Sequence, residues 1–443
     1  VTSRDSAGTT GRWRNWGATA TADPVSVRRP RSHADVAQLI VDARSHGLAV
    51  KPIGAGHSFS PIAVAPGVQV TSENLRGLRT VDVDAARVTV GAGTHLYEMP
   101  KLLAPHGLAM PNLGDIDKQT LAGATSTGTH GTGKAFGGIS TQIVGATLVD
   151  GTGTVRQIDS ADPDLKAVAL GLGALGIVTE VTLQLVPAFT LTAVEAPGHV
   201  EEVLEAFGDN VAHHDHYEFY WFPHTECTLT KTNTRGPADA ASSGPGKVRR
   251  YIDDELLSNG MFGALCAIGA RWPRVVPAFN QIAGRALSAR TMTDVSTSVF
   301  TSQRSVRFRE MEYAIPLDAV PAALREVRSM IERRGYRVSF PIEVRAAAAD
   351  DLMLSTASGR VSGYIAVHRY SGDSRADAQA YFDDVEAIMV GHEGRPHWGK
   401  MHTRDADYLR GVYPRFDEFL AVRERFDPDR VFTNPYLERV LGR

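Results

Sequence analysis

The nine residues Pro52 to Ser60, PIGAGHSFS, constrain this chain more than any other stretch. They follow Leu48 to Ile53, which reads as a strand, so a strand must deliver its backbone into a tight turn. Gly54 and Gly56 allow positive φ there and let another group approach the backbone closely. Successive N–H groups in such a turn make a nest for an anion. His57 then stands at the tip, flanked by the hydroxyls of Ser58 and Ser60. A plain solvated loop has the same letters, so the reading needs support from elsewhere.

That support lies in Asn112 to Gly133, NLGDIDKQTLAGATSTGTHGTG. Glycine recurs at 114, 123, 128, 131 and 133, with hydroxyls at Thr120, Thr125, Ser126, Thr127, Thr129 and Thr132. Little of this can fill a core, yet the chain returns at once to strand at IVGATLVD. A long small-residue loop inside a compact domain is usually functional. Its backbone N–H groups can approach phosphate oxygens, and its hydroxyls add donors.

A second glycine string is a decoy. Gly171-Leu172-Gly173-Ala174-Leu175-Gly176 matches the dinucleotide fingerprint, which needs a strand before it and a helix after it. Here DPDLKAVAL reads as the helix and IVTEVTLQLV as the strand, the reverse order. A tight helix-to-strand turn beside a ligand is the better reading.

The remaining chain is α+β. Ser32 to Gly47 reads as a capped helix with Val36, Leu39, Ile40 and Ala43 on one face. Thr94 to Gly107 reads as another. Residues 1 to about 22 read as frayed, with Trp13 and Trp16 available to dock. After Pro187 the texture changes to strands at HYEFYWF, ECTLTKTN, FREMEYAI and RVSFPIEV, with a helix at LDAVPAALREVRSMIERRG. Thr232 to Val248 is Pro/Gly/Ser-rich and reads as a mobile loop. His213, His214, Asp215 and His216 fit no zinc spacing, so no metal site is expected. Residues two apart on a strand share a face, so Glu343 and Arg345 point the same way. By the same rule only one of His368 and Arg369 can face a site.

Composition excludes several classes. A chain of 443 residues allows two domains. With 47 Lys and Arg against 50 Asp and Glu, its net charge of −3 gives no reason to bind nucleic acid. No apolar run reaches a membrane span, and the polar N-terminal stretch lacks the core of a secretory signal. Two cysteines, Cys227 and Cys266, with no partner motif suggest reduced thiols and a cytoplasmic setting.

GAGHSFS, then GATSTGTHGTG, then RPHWGK with FDPDRVFTNPYL together resemble the vanillyl-alcohol-oxidase type of flavoprotein. More narrowly the chain is similar to the sugar-1,4-lactone oxidases (gulonolactone and arabinonolactone oxidases), with alditol oxidases close by. The resemblance implies a two-subdomain FAD-binding domain over 24–188 after an N-terminal extension, 1–23. It implies an α+β substrate cap over 189–395 and a C-terminal segment, 396–443, returning to the FAD domain. FAD would be bonded through its 8α-methyl to His57. Ile53, Gly54, Ala55, Gly56, His57 and Ser58 would cradle it, with Gly114, Asp115, Ala122, Gly123, Ser126, Thr129, His130, Gly131 and Gly133. Ile177 would lie near the adenine, and Lys400 near flavin N1. Glu343, Arg345, Lys400, His397 and Arg369 would be the catalytic set. Gly114 would leave room for dioxygen at the flavin edge. The implied reaction is oxidation of an aldonolactone or related polyol, with hydrogen peroxide as co-product; a cytochrome or quinone acceptor is the alternative.

Overall fold

The computed structural model describes residues 11–244, 260–302 and 306–443. Its glycine turn begins at the strand Val50–Ile53, one of three parallel strands with Ser26–Arg28 and Val68–Thr71. Parallel neighbours require a crossover. The helix His33–Ser45 supplies it, starting where the Ser32 side chain accepts the Asp35 N–H at 3.1 Å. Its buried Val36, Ile40 and Ala43 pack on Val50, Val68 and Val70 of the sheet and on Val431 and Phe432 near the C-terminus.

A second sheet has five antiparallel strands in the order Val155–Asp159, Ile143–Asp150, Gly176–Gln184, Arg87–Gly91 and Leu78–Asp82. The decoy string forms the turn into Gly176–Gln184, with Leu172 and Gly173 at φ 56° and 60°. The third sheet has eight antiparallel strands. Its middle runs Cys227–Pro237, His216–Trp221, Ile342–Ala347, Ser362–Tyr370 and Phe308–Pro316, and its last strand is Arg395–Pro396. The helices Val320–Arg334 and Arg375–Gly391 cover one face of it. The C-terminal helices Phe416–Phe426 and Pro435–Leu441 return to the core that holds the five-stranded sheet.

Several expectations change. The helix over Thr94 to Gly107 is broken into Leu96–Glu98, Met99–Leu103 and Ala104–His106, because Pro100 and Pro105 each remove a backbone donor. The strand expected from Arg337 starts only at Ile342, after Pro341. From residue 11 the N-terminal segment is ordered rather than frayed, with Trp13–Arg14 paired to Thr21–Ala22. Part of the Thr232 to Val248 loop is strand as far as Pro237; its residues 245–248, like residues 1–10, lie outside the described residues. Among the described residues no helix is long and apolar enough to cross a membrane.

Candidate active site

Strand alternation sorts the eight-stranded sheet into two chemistries. Tyr217, Phe219, Trp221, Met311, Tyr313, Ile342, Val344, Ile365 and Val367 all turn toward the covering helices. The residues between them turn the other way, toward the glycine-rich loops. They are Glu218 and Tyr220, Glu343 and Arg345, Tyr364 and His368, and Glu310 and Glu312. Thr132 ties this face to the loop: its hydroxyl donates to the Tyr217 carbonyl and accepts the Ala346 N–H at 3.2 Å.

Arg345 is held by three carboxylates. Its Nη2 meets Asp115 at 3.0 Å and also pairs with Glu343, and its Nε donates to Glu218 at 3.2 Å. Burial works against the guanidinium charge, but Asp115, Glu343 and Glu218 hold its pKa well above the ordinary value. The Tyr220 hydroxyl donates to Glu343 at 2.9 Å. Burial, reinforced by the same carboxylates, pushes that phenol well up.

A second charged group lies across the cavity. Lys400 pairs with Glu310, and His368 Nε2 stands 3.5 Å from the same carboxylate. Burial would raise the Glu310 pKa, yet Lys400 and His368 outweigh it and bring it to about 2. His130 reaches Glu312 through Nε2 at 3.3 Å and the Gly131 carbonyl through Nδ1 at 2.8 Å. His397 accepts the Gly399 N–H on Nδ1 at 3.0 Å. Burial lowers its pKa to about 3, so the ring is neutral near pH 7. His130, Glu312 and His397 are near enough to share a metal ion, as are Asp115, Glu218 and Glu343. The contacts just described already engage His130 and Glu312 of the first group and all three carboxylates of the second.

Two cavities meet at this place. One is lined by Gly114, Asp115, Thr129, His130, Glu310, Glu312, Glu343, Arg345, His397 and Lys400. The other is lined by Ile53 to His57, Ala122, Gly123, Ser126, Leu172, Gly173 and Ile177, with Val70, Leu75 and Val178 making part of its wall apolar. They share His57, Ser58, Gln119 and Thr127, so His57 stands at the junction.

The joined cavities suit a long cofactor with an anionic middle. A Cβ on Gly54 would come within 2.5 Å of Thr120 Oγ1, and one on Gly123 within 2.8 Å of the same atom. Glycine is therefore required where the two glycine-rich stretches cross. His57 Nδ1 is buried with no hydrogen-bond partner in bonding distance. Burial lowers the His57 pKa, against a smaller opposing contribution from the Ala55 backbone, and so favours the neutral, nucleophilic imidazole.

Three expected residues stand elsewhere. Arg369 lies on the helix side of its strand, donating to Asp373 at 2.8 Å and facing the Tyr381 ring. Alternation assigns the site-facing position to His368 instead. Gly131 is wedged against the backbone, where a Cβ would come within 2.2 Å of the Leu113 carbonyl oxygen. Gly133 donates its N–H to Ala346 at 2.8 Å, joining the loop to the sheet. Neither glycine lines either of these two cavities.

Sequence reasoning misses some site residues. Glu310 and Glu312 alternate with Met311 and Tyr313 in FREMEYAI, and Glu218 and Tyr220 alternate with Phe219 and Trp221 in HYEFYW. Paired polar residues at period two in an apolar strand are the available signal. Lys51 is missed as well. Fully buried, it lines the second cavity and donates to the carbonyls of Leu172 and Gly173 at 3.1 and 3.2 Å.

Comparison with known proteins agrees with this geometry. The FAD binding domain family matches residues 24–159, and the D-arabinono-1,4-lactone oxidase family matches residues 181–440. The L-gulono-1,4-lactone dehydrogenase of Mycobacterium tuberculosis is 42% identical over 97% of this chain and 99% of its own length. The L-gulonolactone oxidase of Mus musculus is 31% identical over 97% and 98%. An alditol oxidase of Streptomyces sp. is 28% identical over 96% and 98%. A solved cholesterol oxidase from Brevibacterium sterolicum superposes with a TM-score of 0.81 over 97% of this chain and 96% of its own, at 21% identity, a likeness of fold alone. The chain therefore belongs to the D-arabinono-1,4-lactone oxidase family of vanillyl-alcohol-oxidase-type flavoproteins and is an FAD-dependent oxidoreductase.

Proposed function

We propose that this protein oxidises a secondary alcohol of an aldono-1,4-lactone, with FAD lying through the two joined cavities and tethered to His57. The carrying observation is that His57, Arg345 and Lys400 line one cavity. FAD, when bound, supplies the hydride acceptor. The chain supplies orientation and charge. Arg345, fixed by its carboxylates, steadies the substrate oxygen. Glu343, held by the Tyr220 hydroxyl, offers an acceptor to a neighbouring hydroxyl. Lys400, oriented by Glu310, supplies positive charge where reduction builds negative charge. Neutral His397 adds a hydrogen-bonding ring without adding charge.

Dioxygen as electron acceptor, with hydrogen peroxide formed, is the reading that Gly114 favours, since it leaves the cavity wall bare. A Cβ there would also lie 2.9 Å from the His130 carbonyl oxygen. Alanine at 114 would thus displace the loop as well as narrow the cavity. The relative named a dehydrogenase favours the second reading, a cytochrome or quinone acceptor.

Anaerobic mixing decides among these. Gulono-, galactono- and arabinono-lactones are expected to bleach the flavin, and air to restore it. Bleaching by xylitol or sorbitol alone would make the substrate an alditol. Bleaching that air does not reverse would remove dioxygen as acceptor.

A further inference from the structure

Residues 13–19 are built onto the His57 turn. The ribbon formed by Trp13–Arg14 and Thr21–Ala22 closes a small loop around Asn15. All the hydrogen-bonding capacity of the Asn15 side chain is used. Its oxygen accepts from the Thr19 and Ala20 N–H groups, both at 2.9 Å. Its nitrogen donates to Thr19 Oγ1 at 2.7 Å and to the Ser58 carbonyl at 2.8 Å. The Trp16 N–H donates to the Gly56 carbonyl at 2.8 Å, and the Thr19 hydroxyl donates to the Phe59 carbonyl at 2.7 Å. The carbonyls on both sides of His57 thus take their donors from one short segment.

The side chains complete the grip. The Trp16 ring lies nearly parallel to His57, 14° between planes and 6.0 Å between centroids, and lines the same cavity. It meets the Phe308 ring edge-on, with 5.2 Å between centroids. Gly17 is pressed so closely on the Phe59 ring that a Cβ would come within 2.7 Å of it. Ala18 accepts φ of 55° to make the bend, a left-handed conformation that persists only where surrounding contacts impose it.

We infer that Asn15, Trp16 and Thr19 form a positioning strap that presents His57 Nδ1 to the flavin for attachment. The inference rests on the tether proposed above. Attachment joins the imidazole nitrogen to the flavin 8α carbon. One imidazole hydrogen and one methyl hydrogen leave as protons, and two electrons pass to the acceptor that reoxidises the flavin in turnover. The rate of such a step depends on near-attack geometry, and a displacement of about 1 Å costs on the order of 10²-fold. No other described part of the chain fixes the Gly56 and Phe59 carbonyls.

The test is the ratio of acid-stable to total bound flavin, followed over time after FAD is supplied to the purified protein. A merely structural role would lower total flavin and melting temperature together and leave the attachment rate of the bound fraction unchanged. Trp16→Ala and Asn15→Ala are expected to bind FAD but to attach it about 10²-fold more slowly. Trp16→Phe is expected to recover most of the rate. If Trp16→Ala does not fold, Asn15→Ala and Thr19→Val are read by the same ratio. Attachment at the parental rate in these variants overturns the strap. Complete release of flavin from the parent protein by acid overturns the tether itself, and the strap with it.

Discussion

Replacing Glu310 with Gln keeps the shape of the side chain and removes its charge. The structure fixes the size of the effect. Glu310 is buried between Lys400 and His368, which bring its pKa from 4.5 to about 2. A carboxyl lowered that far corresponds to about 3 kcal/mol of folded-state stabilisation. Because the folded pKa is the lower one, this contribution is complete above pH 4.5 and is lost as pH falls through 2. Titrating the two states gives a loss of about 2 kcal/mol by pH 3. An unfolding entropy of roughly 2 cal/mol/K per residue makes about 0.9 kcal/mol/K for 443 residues melting as one unit. Glu310→Gln is therefore expected to melt about 3 °C below the parent at pH 7 and only about 1 °C below it near pH 3. Differential scanning fluorimetry of both holoproteins across that range reads the gap. A gap that does not narrow toward low pH, or that is absent at pH 7, refutes the ion-pair reasoning.

Arg369→Leu is expected to lower the melting temperature while leaving kcat and KM within about twofold, because its partner Asp373 lies on the helix side of the sheet. A hundredfold loss of kcat would return Arg369 to the chemistry. Arg345→Lys keeps the charge but loses the fork that reaches Asp115 and Glu218 together, so flavin reduction in anaerobic stopped flow is expected to slow about 10²-fold. Lys51 gives a pH slope of the same sign as Glu310, in a higher window. Burial, aided by Arg423 and opposed by Asp427, lowers its pKa to about 7. Between pH 7 and 10 the unfolded chain then binds more protons, so stability should rise by about 1.4 kcal/mol per pH unit. Lys51→Met removes that rise, and a melting difference from the parent that stays constant from pH 7 to 9.5 would contradict it.

The parts legible in the sequence are those fixed by short-range rules. Ser32 and the apolar spacing of Val36, Ile40 and Ala43 define one helix, and the glycines at 54 and 56 define the turn. Glu343 and Arg345 share a face because alternation needs only two residues to declare it. Arg369 is misplaced by the same rule, because alternation says which residues are opposed and not which face is which. That is set by pairing, with Glu343 opposite Ala366 and Arg345 opposite Tyr364, and so depends on strands distant in sequence. Where Trp16 docks is illegible for a related reason. A polar segment reads as frayed until the surface that receives it, here Gly56 to Phe59, is folded. The breaks at Pro100 and Pro105 are visible in the sequence but are outweighed there by the helical spacing of Leu96, Met99 and Leu103.

The His57 turn is also held from the far end of the chain. Phe59 N–H donates to the Gly399 carbonyl at 2.6 Å, and the Ser60 hydroxyl donates to the Trp398 carbonyl at 2.7 Å. Asn434 donates to Ile62 and Val64 at 3.0 and 2.9 Å, and Val50 N–H donates to Val431 at 2.8 Å. Contacts this distant in sequence form late, after loop closure has been met. A ribosome emitting this chain releases the turn early and the segment that completes it some 370 residues afterwards. Cofactor loading is therefore a late event in biosynthesis, and a nascent chain stalled before Asn434 carries the whole glycine motif without a finished pocket to put it in.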